Sequence, residues 1–357
     1  MKKSVLLLGG TGAMGNHLVQ ILQDGDFSVY VTSRSDRKSM ENVTYIKGNA
    51  HDDAFLDKLL SQKKWDVIVD FMIYNSKEFS RRVDRLLGAC KQYVFLSSSR
   101  VYADSEEPIT ERSPRLLDVC KNADYLETDE YALSKAREEN VLLESEHRNW
   151  TIIRPYITYS EIRLQLGVLE KDYWLYQALH DRTIVFSKDI ASKTTTLTYG
   201  YDVARGIASI LGKEEALGEV FHITVDEHHT WQEIFDMYLR VLEEELGRKP
   251  KVLMLDENPR VRMKGHGYQV KYDRYYNRIF DNHKIGKYID VKTFKPTLSG
   301  LEQCLREFIH HPSYRITGWG DFAMYDRIAG EWTPLSEIPT LKNKIKYILR
   351  RTILPLK

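Results

Sequence analysis

Short apolar runs alternate with longer amphipathic segments through the first 155 residues of this 357-residue chain. The apolar runs predict six strands, at 4–8, 28–32, 43–46, 66–71, 93–97 and 150–154. Between them, pairs such as Leu18 and Leu22, or Phe55 and Leu59, follow helical spacing. Alternation of this kind is typical of βαβ units, so the pattern predicts an α/β fold with a doubly wound parallel sheet.

The pattern becomes less regular after Pro155, where Tyr, Trp and charged residues are more frequent, and strand-like runs return at 195–199 and 220–224. This change predicts two domains that interleave along the chain, with a substrate in the cleft between them. The predicted boundaries are 1–160 with 194–225 for the first domain, 161–193 with 226–312 for a smaller C-terminal substrate-binding lobe, and 313–357 for a C-terminal extension.

A glycine motif joins the first strand to the first helix, with the sequence Gly9-Gly10-Thr11-Gly12-Ala13-Met14-Gly15. Glycines in such a loop let the backbone approach a pyrophosphate, which binds the free amides at the positive end of the helix. A strand before the motif and a helix after it distinguish it from an ordinary glycine turn. We therefore predict a Rossmann domain whose cofactor contacts Gly9, Thr11, Gly12, Ala13, Met14 and Gly15.

The residues after the second strand bear on which dinucleotide binds. Rossmann proteins that bind NAD place an acidic residue there to hold the ribose 2′-hydroxyl. Here the position is Arg34, with Arg37 and Lys38 close by. Because a guanidinium suits a 2′-phosphate, we predict NADP(H) as the preferred cofactor. NAD(H) is the alternative, since Asp36 reaches a ribose if the loop bends.

Two further motifs carry candidate chemistry. The fifth strand runs into Ser97-Ser98-Ser99-Arg100-Val101-Tyr102, and a later helix begins with Tyr131-Ala132-Leu133-Ser134-Lys135. Tyr131 and Lys135 are four residues apart and so share one helix face. Tyr288 and Lys292 have the same spacing, but only the first pair follows the fifth strand and precedes the sixth.

The glycine loop, the serine-rich strand end, the Tyr131/Lys135 pair and the strand ending in Arg154-Pro155-Tyr156 together resemble the extended short-chain dehydrogenase/reductases. The resemblance covers residues 1 to about 310. It implies that Tyr131 is the general acid/base at a sugar oxygen, that Lys135 favours the tyrosinate and holds the nicotinamide ribose, and that Ser98 hydrogen-bonds the same sugar oxygen. The cofactor contacts that it implies beyond the glycine loop are Arg34, Asn49, Ala50, Lys135 and Pro155.

One departure from the family pattern bears on the reaction. Sugar dehydratases of this family carry Asp-Glu after the catalytic Ser or Thr, whereas this chain has Ser99 and Arg100. Dehydration therefore ranks below epimerisation and ketone reduction, and Arg34 favours reduction, because cells keep NADPH for that direction. The substrate contacts expected from the resemblance are Ser98, Ser99, Arg100, Tyr131, Arg274 and Arg278, the last two through the nucleotide diphosphate.

The predicted protein is an NAD(P)-dependent epimerase or ketoreductase of a nucleotide sugar, an activity typical of polysaccharide biosynthesis. The alternatives are a nucleotide-sugar dehydratase and a non-catalytic dinucleotide-binding sensor or scaffold for RNA or protein. A net charge of +1 gives no reason to expect nucleic acid as the main partner. Three widely spaced cysteines favour a reducing, cytoplasmic compartment, and the histidines lack metal-ligand spacing, so no metal is predicted. Relatives are commonly dimers, so a homodimer is expected.

The segment 341–357 predicts a helix with Leu341, Ile345, Ile348 and Leu349 on one face and several lysines and arginines nearby. One interpretation is a helix docked on the body of the protein. The other is a basic amphipathic helix that contacts a membrane surface.

Overall fold

The computed structural model describes residues 2–263, 267–316 and 318–352, and it divides into two compact units. Unit 1 comprises Met1–Ser160, Thr196–Glu227 and Arg278–Thr297, and unit 2 comprises Glu161–Thr195, His228–Asn277 and Leu298–Lys357. The predicted interleaving is therefore present in the structure. The largest difference from the predicted boundaries within the two lobes is Arg278–Thr297, which packs with unit 1. The physical reason is that Ile285 and Phe294 are buried in the unit 1 core.

In chain order the strands are β1 (Lys3–Leu8), β2 (Phe27–Ser33), β3 (Val43–Lys47), β4 (Trp65–Asp70), β5 (Cys90–Leu96), β6 (Trp150–Pro155), β7 (Ile157–Tyr159), β8 (Gln165–Leu166), β9 (Leu169–Glu170), β10 (Ile184–Ser187), β11 (Thr194–Thr195), β12 (Leu197–Tyr199), β13 (Glu219–Ile223), β14 (His229–Thr230) and β15 (Val252–Leu255). The α-helices are α1 (Ala13–Gln23), α2 (Asp53–Leu60), α3 (Ser76–Gly88), α4 (Leu116–Val119), α5 (Ala123–Leu126), α6 (Tyr131–Leu143), α7 (Lys171–Leu179), α8 (Lys188–Ala191), α9 (Gly200–Ile210), α10 (Trp231–Leu246), α11 (Gly267–Gln269), α12 (Thr297–His310), α13 (Trp319–Ala329) and α14 (Leu341–Thr352).

Unit 1 is built on a seven-stranded, all-parallel sheet with the strand order β13-β6-β5-β4-β1-β2-β3. The six predicted strands are confirmed, with ends that shift by up to three residues. The run 220–224 supplies the edge strand β13, but the run 195–199 does not join this sheet. It divides instead into β11, which pairs with β14, and β12, which pairs with β7.

Apolar side chains of the sheet pack on both of its faces. One face forms a core with α1 and α9, which includes Leu7, Leu18 and Ile207. The other face forms a core with α2 and α3, which includes Leu56 and the fully buried Trp65 and Trp150. Burial on both sides explains why the strands have near-continuous apolar sequences, as is typical of parallel sheets.

The order of the strands fixes where a ligand can bind. From β1 the chain proceeds outward through β2 and β3, and then returns to β4 on the other side of β1. This reversal makes the β1/β4 pair the switch point of the sheet, and ligands of open α/β folds bind beyond the carboxyl ends of the strands there. Leu8 and Asp70 are register partners at those ends.

Unit 2 contains α7, α10, α12, α13 and α14 with short two-stranded sheets, and Trp174, Trp231 and Trp319 are fully buried within it. The described part of the predicted extension, 313–316 and 318–352, belongs to this unit, where α13 and α14 pack together, and residues 317 and 353–357 of it lie outside the described residues. Among the described residues, no helix has the length and apolar character needed to cross a membrane.

Candidate dinucleotide and catalytic site

The glycine loop connects β1 to α1 with a backbone that only glycine tolerates at two positions. Gly9 has φ +69°, in the left-handed region. A Cβ on Gly15 would lie 2.6 Å from the backbone of Gly10, so the first turn of α1 packs directly against the loop. The predicted strand-glycine-helix context is present.

The start of α1 fits a bound pyrophosphate. Gly12 is its N-cap, no side chain caps the helix, and its first turn contains no acidic residue. A Cβ on Gly12 would meet no described atom within 4 Å, whereas Thr11, Ala13 and Met14 are half-buried beside it. The first amides of a helix need an acceptor, and the helix dipole favours a negative one. The open space and the uncapped amides therefore fit the diphosphate of a dinucleotide.

The end of β2 lies beside this loop. Thr32 Oγ1 accepts the amide hydrogen of Gly9 at 2.9 Å, which ties the strand to the glycine motif. Arg34 follows and is exposed. Asp36 pairs with Lys47 at 2.6 Å between their charged atoms. Both side chains of this pair are largely exposed, so Arg34 and Asp36 are both candidates for a contact with the ribose.

The residues after β3 form a short turn. Asn49 is exposed, and its Oδ1 accepts the amide hydrogen of His51 at 3.2 Å. Ala50 is buried, and its carbonyl oxygen accepts a hydrogen bond from Arg82 at 2.9 Å. The side-chain Nδ2 of Asn49 is thus a donor that makes no hydrogen bond within this turn in the described part of the chain. The predicted contacts of Asn49 and Ala50 with the cofactor remain predictions.

Two of the three serines that follow β5 support the fold. Ser97 Oγ donates to Glu139 Oε1 at 2.6 Å, and Ser99 Oγ donates to the carbonyl oxygen of Arg154 at 2.7 Å. Both side chains are buried. Ser99 could donate a hydrogen bond to a substrate only if its hydroxyl left this carbonyl.

Ser98 differs from its two neighbours. It precedes a 3-10 turn, Ser99–Val101, and its Oγ accepts the amide hydrogen of Arg100 at 3.2 Å. In the described part of the chain its hydroxyl hydrogen meets no acceptor, so Ser98 can donate to a ligand. Ser98 therefore fits the predicted role better than Ser97 or Ser99.

Helix α6 begins at Tyr131 and places Lys135 one turn further along. The aromatic ring of Tyr131 is about one third exposed, whereas Lys135 is buried. The ammonium of Lys135 lies 2.9 Å from Glu138 Oε2 and 4.6 Å from the centre of the Phe95 ring. The buried cation is therefore balanced by a carboxylate from the next turn of the same helix.

The guanidinium of Arg100 lies beside Tyr131. The guanidinium of Arg100 lies 5.3 Å from the centre of the Tyr131 ring and pairs with Glu130 at 2.6 Å. Glu130 is the N-cap of α6, where its side chain accepts the amide hydrogen of Ala132, and the hydroxyl of Tyr125 also donates to it. The pairing of Arg100 with Glu130 thus fixes a guanidinium beside the Tyr131 ring at the start of α6.

Asp70 forms a buried acidic group at the carboxyl end of β4. Its carboxylate accepts the amide hydrogen of Met72 at 2.9 Å and the hydroxyls of Tyr74 and Tyr93 at 3.0 and 2.8 Å. Burial raises the pKa of Asp70 above its usual range, although these donors and the charge of Lys135 oppose the shift. Burial and the carboxylate of Asp70 likewise raise the pKa of the Tyr93 hydroxyl.

Glu139 anchors a second ionic group behind the serines. Its carboxylate accepts hydrogen bonds from Arg154 Nε at 2.8 Å, Arg154 Nη2 at 2.7 Å, Arg115 Nη1 at 3.2 Å and the Ser97 hydroxyl. Burial disfavours the charged form of Arg154, but Glu139 outweighs it and holds the pKa of Arg154 above its ordinary value. This network ties α6 to the ends of β5 and β6, where Pro155, a predicted cofactor contact, is the last residue of β6.

The structure does not support the predicted diphosphate contacts of Arg274 and Arg278. The guanidinium of Arg278 is fully buried and donates to the carbonyl oxygens of Tyr102 and Ala103 at 3.0 and 2.9 Å. Arg274 is buried in unit 2, where it pairs with Asp273 and donates to a backbone carbonyl. Both side chains satisfy internal acceptors, so the two arginines are not part of the site proposed below.

Sequence reasoning missed Glu138 and Asp70. Glu138 stands three residues after Lys135, a spacing that places the two side chains side by side on a helix. Asp70 ends an otherwise apolar strand, so its charge falls at the switch point of the sheet. The sequence could have indicated both residues. An acidic residue one helical turn from a candidate lysine, or at the end of an apolar strand, is a candidate site residue.

Replacing Lys135 with Met is expected to destabilise the fold in a pH-dependent way. Burial raises the pKa of Glu138, and Lys135 beside it opposes that rise. Without the ammonium, Glu138 in the folded state takes up a proton more readily than in the unfolded chain. The free energy of unfolding of the variant is then retained below the pKa of Glu138 in the unfolded chain, about 4.3. Above that pH it falls by about 1.4 kcal/mol for each pH unit, until the pKa of Glu138 in the folded variant is reached.

Urea unfolding at pH 5 and pH 8 tests this prediction. We expect the variant to lie within about 1 kcal/mol of wild type at pH 5 and about 2–3 kcal/mol below it at pH 8. Lys58→Met, a change at an exposed lysine, is the control and should stay within about 0.5 kcal/mol at both pH values. An equal loss at both pH values would show that Glu138 does not respond to Lys135.

The parallel sheet and its glycine loop define an α/β protein of the dinucleotide-binding class, with Ser98, Tyr131 and Lys135 as its candidate catalytic residues. The profile of the NAD dependent epimerase/dehydratase family matches residues 5–224. This match covers more than half of the chain, so the protein belongs to that family.

Individual relatives are more distant. The chain is 26% identical over 248 residues to the chloroplast stem-loop binding protein of 41 kDa b of Arabidopsis thaliana, covering 64% of this chain and 61% of that protein. It is 30% identical over 146 residues to UDP-glucose 4-epimerase 2 of the same plant, covering 32% of this chain and 42% of that one. The chain thus matches less than two thirds of the length of these relatives.

A solved structure supports the fold. The UDP-glucuronic acid 4-epimerase of Bacillus cereus, in complex with UDP-glucuronic acid and NAD, is similar with a TM-score of 0.62 and 18% identity. The similarity covers 86% of this chain and 99% of that one. At this identity it shows a common architecture.

Proposed function

We propose that this protein is an NADP(H)-using epimerase or ketoreductase that acts on a nucleotide sugar. The observation that carries the proposal is the arrangement of α6, where Tyr131 is accessible at the start of the helix and the buried Lys135 lies one turn behind it. Membership of the epimerase/dehydratase family supports it. Dehydration is less favoured, because Ser99 and Arg100 occupy the positions of the Asp-Glu pair that dehydratases use.

In the proposed mechanism Tyr131 exchanges a proton with a hydroxyl or carbonyl oxygen of the sugar. Ser98 donates its free hydroxyl hydrogen to the same oxygen and orients it. Arg100 lies beside the Tyr131 ring, and Glu138 holds the ammonium of Lys135 in the helix. The dinucleotide, when bound, supplies hydride transfer, with Gly12, Ala13 and their neighbours on its diphosphate.

The proposed preference for NADP(H) depends on Arg34. Replacing Arg34 with Ser removes a charged hydrogen-bond donor, so we expect the Kd for NADPH to rise about tenfold to a hundredfold. The Kd for NADH should change by less than about threefold, because NADH has no 2′-phosphate for the guanidinium to bind. Fluorescence titration of the reduced nicotinamide measures both constants.

Arg37→Ser is a matched control for this prediction, since Arg37 is also exposed and its guanidinium lies 5.8 Å from the centre of the Tyr45 ring. If both variants lose the same NADPH affinity, Arg34 contributes only through the positive charge of this surface and does not bind the 2′-phosphate specifically. An unchanged ratio of the two dissociation constants in Arg34→Ser would refute the proposed preference.

The reaction itself is tested by incubating the protein and NADPH with a panel of nucleotide sugars and 4-keto nucleotide sugars. Reduced-nicotinamide absorbance reports net hydride transfer, and NMR identifies the products. Stoichiometric loss of NADPH with a keto sugar identifies a reductase, and isomerised sugar without net loss identifies an epimerase. Absence of both products across the panel would contradict the proposed enzyme.

The name of one relative, a stem-loop binding protein, favours a second candidate: a dinucleotide-binding protein that also binds a nucleic-acid stem-loop. That relative, the stem-loop binding protein, matches 64% of this chain. Under this hypothesis Tyr131 and Lys135 would have no role in turnover. Electrophoretic mobility shift with stem-loop RNA, with and without NADPH, tests it, and lack of binding in both conditions removes it.

A further inference from the structure

Helix α14 docks within unit 2 with Tyr347 as the one buried side chain among its described residues, and Arg351 Nε donates to the carbonyl oxygen of Glu331 at 3.1 Å. Tyr347 is fully buried, its hydroxyl donates to Asp326 at 2.6 Å, and it accepts the amide hydrogen of Thr333 at 2.8 Å. Asp326 also accepts the hydroxyl hydrogen of Thr333 at 2.7 Å. These bonds fix which face of α14 is turned toward the body of unit 2.

The apolar face of α14 is a different one, and it is exposed. Successive residues of a helix turn by about 100°, which places Leu341, Ile345, Ile348 and Leu349 within an arc of about 100°. Their exposed fractions are 72%, 50%, 37% and 41%. Tyr347 lies well outside this arc. The helix that docks on unit 2 therefore leaves its own hydrophobic stripe uncovered by the described residues of the chain.

Positive charge surrounds this stripe. Lys342 and Lys346 lie on one side of it, and Lys344 and Arg351 lie on the other, on the same helical projection. Arg350 adds a fifth positive charge, and the sequence of α14 contains no Asp or Glu. The half-exposed Trp332, whose ring centre is 4.6 Å from the guanidinium of Arg351, adds an aromatic side chain next to the helix.

We propose that α14 is a membrane-surface element that inserts Leu341, Ile345, Ile348 and Leu349 into the headgroup region of an anionic lipid bilayer. An exposed apolar stripe flanked by lysines is the arrangement by which amphipathic helices lie in an interface. Basic residues next to the surface add attraction to anionic lipid.

The same charges argue against other occupants. A second copy of α14 would bring its five basic residues against the same five, and like charges across an interface oppose association. Nucleic acid would match the positive charge, but it would leave the four aliphatic side chains without an apolar partner. Anionic lipid satisfies both the charge and the apolar stripe. This inference is independent of the proposed reaction, since α14 shares no residue with the proposed site.

Vesicle co-sedimentation tests the proposal. We expect the full chain to pellet with vesicles of phosphatidylcholine and phosphatidylglycerol, and to bind less to vesicles of phosphatidylcholine alone. Ile345→Gln with Leu349→Gln should weaken binding to the anionic vesicles by more than tenfold. Met40→Gln with Val119→Gln, which changes two exposed apolar residues elsewhere, is the matched control and should bind as wild type.

Charge is tested separately with Lys342→Glu and Lys346→Glu. Each basic residue near the surface contributes about fivefold to binding, so this pair of charge reversals should cost at least about 25-fold. Lys58→Glu with Lys77→Glu makes the same change in net charge at exposed sites on α2 and α3 and should have a smaller effect. Thermal unfolding of every variant verifies that the fold is intact.

Three results would overturn the proposal. The first is equal binding of wild type and Ile345→Gln/Leu349→Gln to anionic vesicles. The second is failure of the wild-type chain to bind them. The third is a dimer, measured by analytical ultracentrifugation, that Ile345→Gln/Leu349→Gln dissociates, because the stripe would then be an interface between copies.

Discussion

Replacing Tyr131 with Phe is expected to reduce turnover of the nucleotide sugar about 10²- to 10⁴-fold, the usual contribution of a general acid or base. The substitution removes one oxygen at the accessible start of α6 and leaves the ring beneath Arg100 in place. The buried pair of Lys135 and Glu138 is not altered, so the Kd for NADPH should stay within about threefold of wild type. Steady-state kinetics and a fluorescence titration measure the two effects.

The chain offers a matched control for this experiment. Tyr288 and Lys292 repeat the Tyr-x-x-x-Lys spacing, but Tyr288 lies outside α6. Tyr288→Phe should turn over at the rate of wild type. Wild-type turnover by Tyr131→Phe would contradict the proposed mechanism, and loss of NADPH binding by that variant would show that the tyrosine acts on the cofactor site and not on proton transfer.

Much of the fold of unit 1 could be predicted, because the signals that define it are local. A buried parallel strand requires a continuous apolar run, and a surface helix requires a 3.6-residue period, so β1 and α1 are each visible in about ten residues. The glycine motif between them is equally local, since Gly9 and Gly15 are needed for backbone geometry within the loop itself.

The segment Arg278–Thr297 could not be assigned by the same reasoning. It consists of 3-10 turns and irregular chain and has no periodic pattern, yet Ile285 and Phe294 pack into the unit 1 core. Long-range packing of an irregular segment leaves no period in the sequence. The sequence also does not show whether an arginine binds a ligand or the protein itself. Arg278 is an example, because its guanidinium donates to backbone carbonyl oxygens.

Only part of the candidate site could be predicted from the sequence, again because only local patterns can be recognised there. Tyr131, Lys135 and Ser98 stand in motifs with recognisable spacing, but their partners do not. In the sequence, the polar residues of α6 resemble those of an ordinary solvent-exposed helix face. In the structure, α6 buries residues on several faces, and Glu138 and Glu139 are among them. Only the packing of α6 shows that these carboxylates are buried beside cations.

Replacing Glu139 with Gln is expected to destabilise the fold by about 3–5 kcal/mol, more than the loss of Lys135. The change leaves the buried guanidinium of Arg154 without its carboxylate and weakens the contact of Arg115. A buried Glu that loses its cation can become neutral by taking up a proton, as Glu138 does without Lys135. An arginine cannot become neutral in this way, because its guanidinium does not lose a proton in proteins.

Urea unfolding of Glu139→Gln measures this cost, and the loss should persist from pH 5 to pH 8, because Arg154 stays charged throughout. Asp118→Asn is the matched control, since Asp118 also pairs with Arg115, at 2.8 Å, but is half exposed. A pair near the surface contributes at most about 1 kcal/mol, so the control should be far milder. If the two variants lose the same stability, the network around Glu139 does not hold α6 against β5 and β6, and the position of Tyr131 must depend on other contacts.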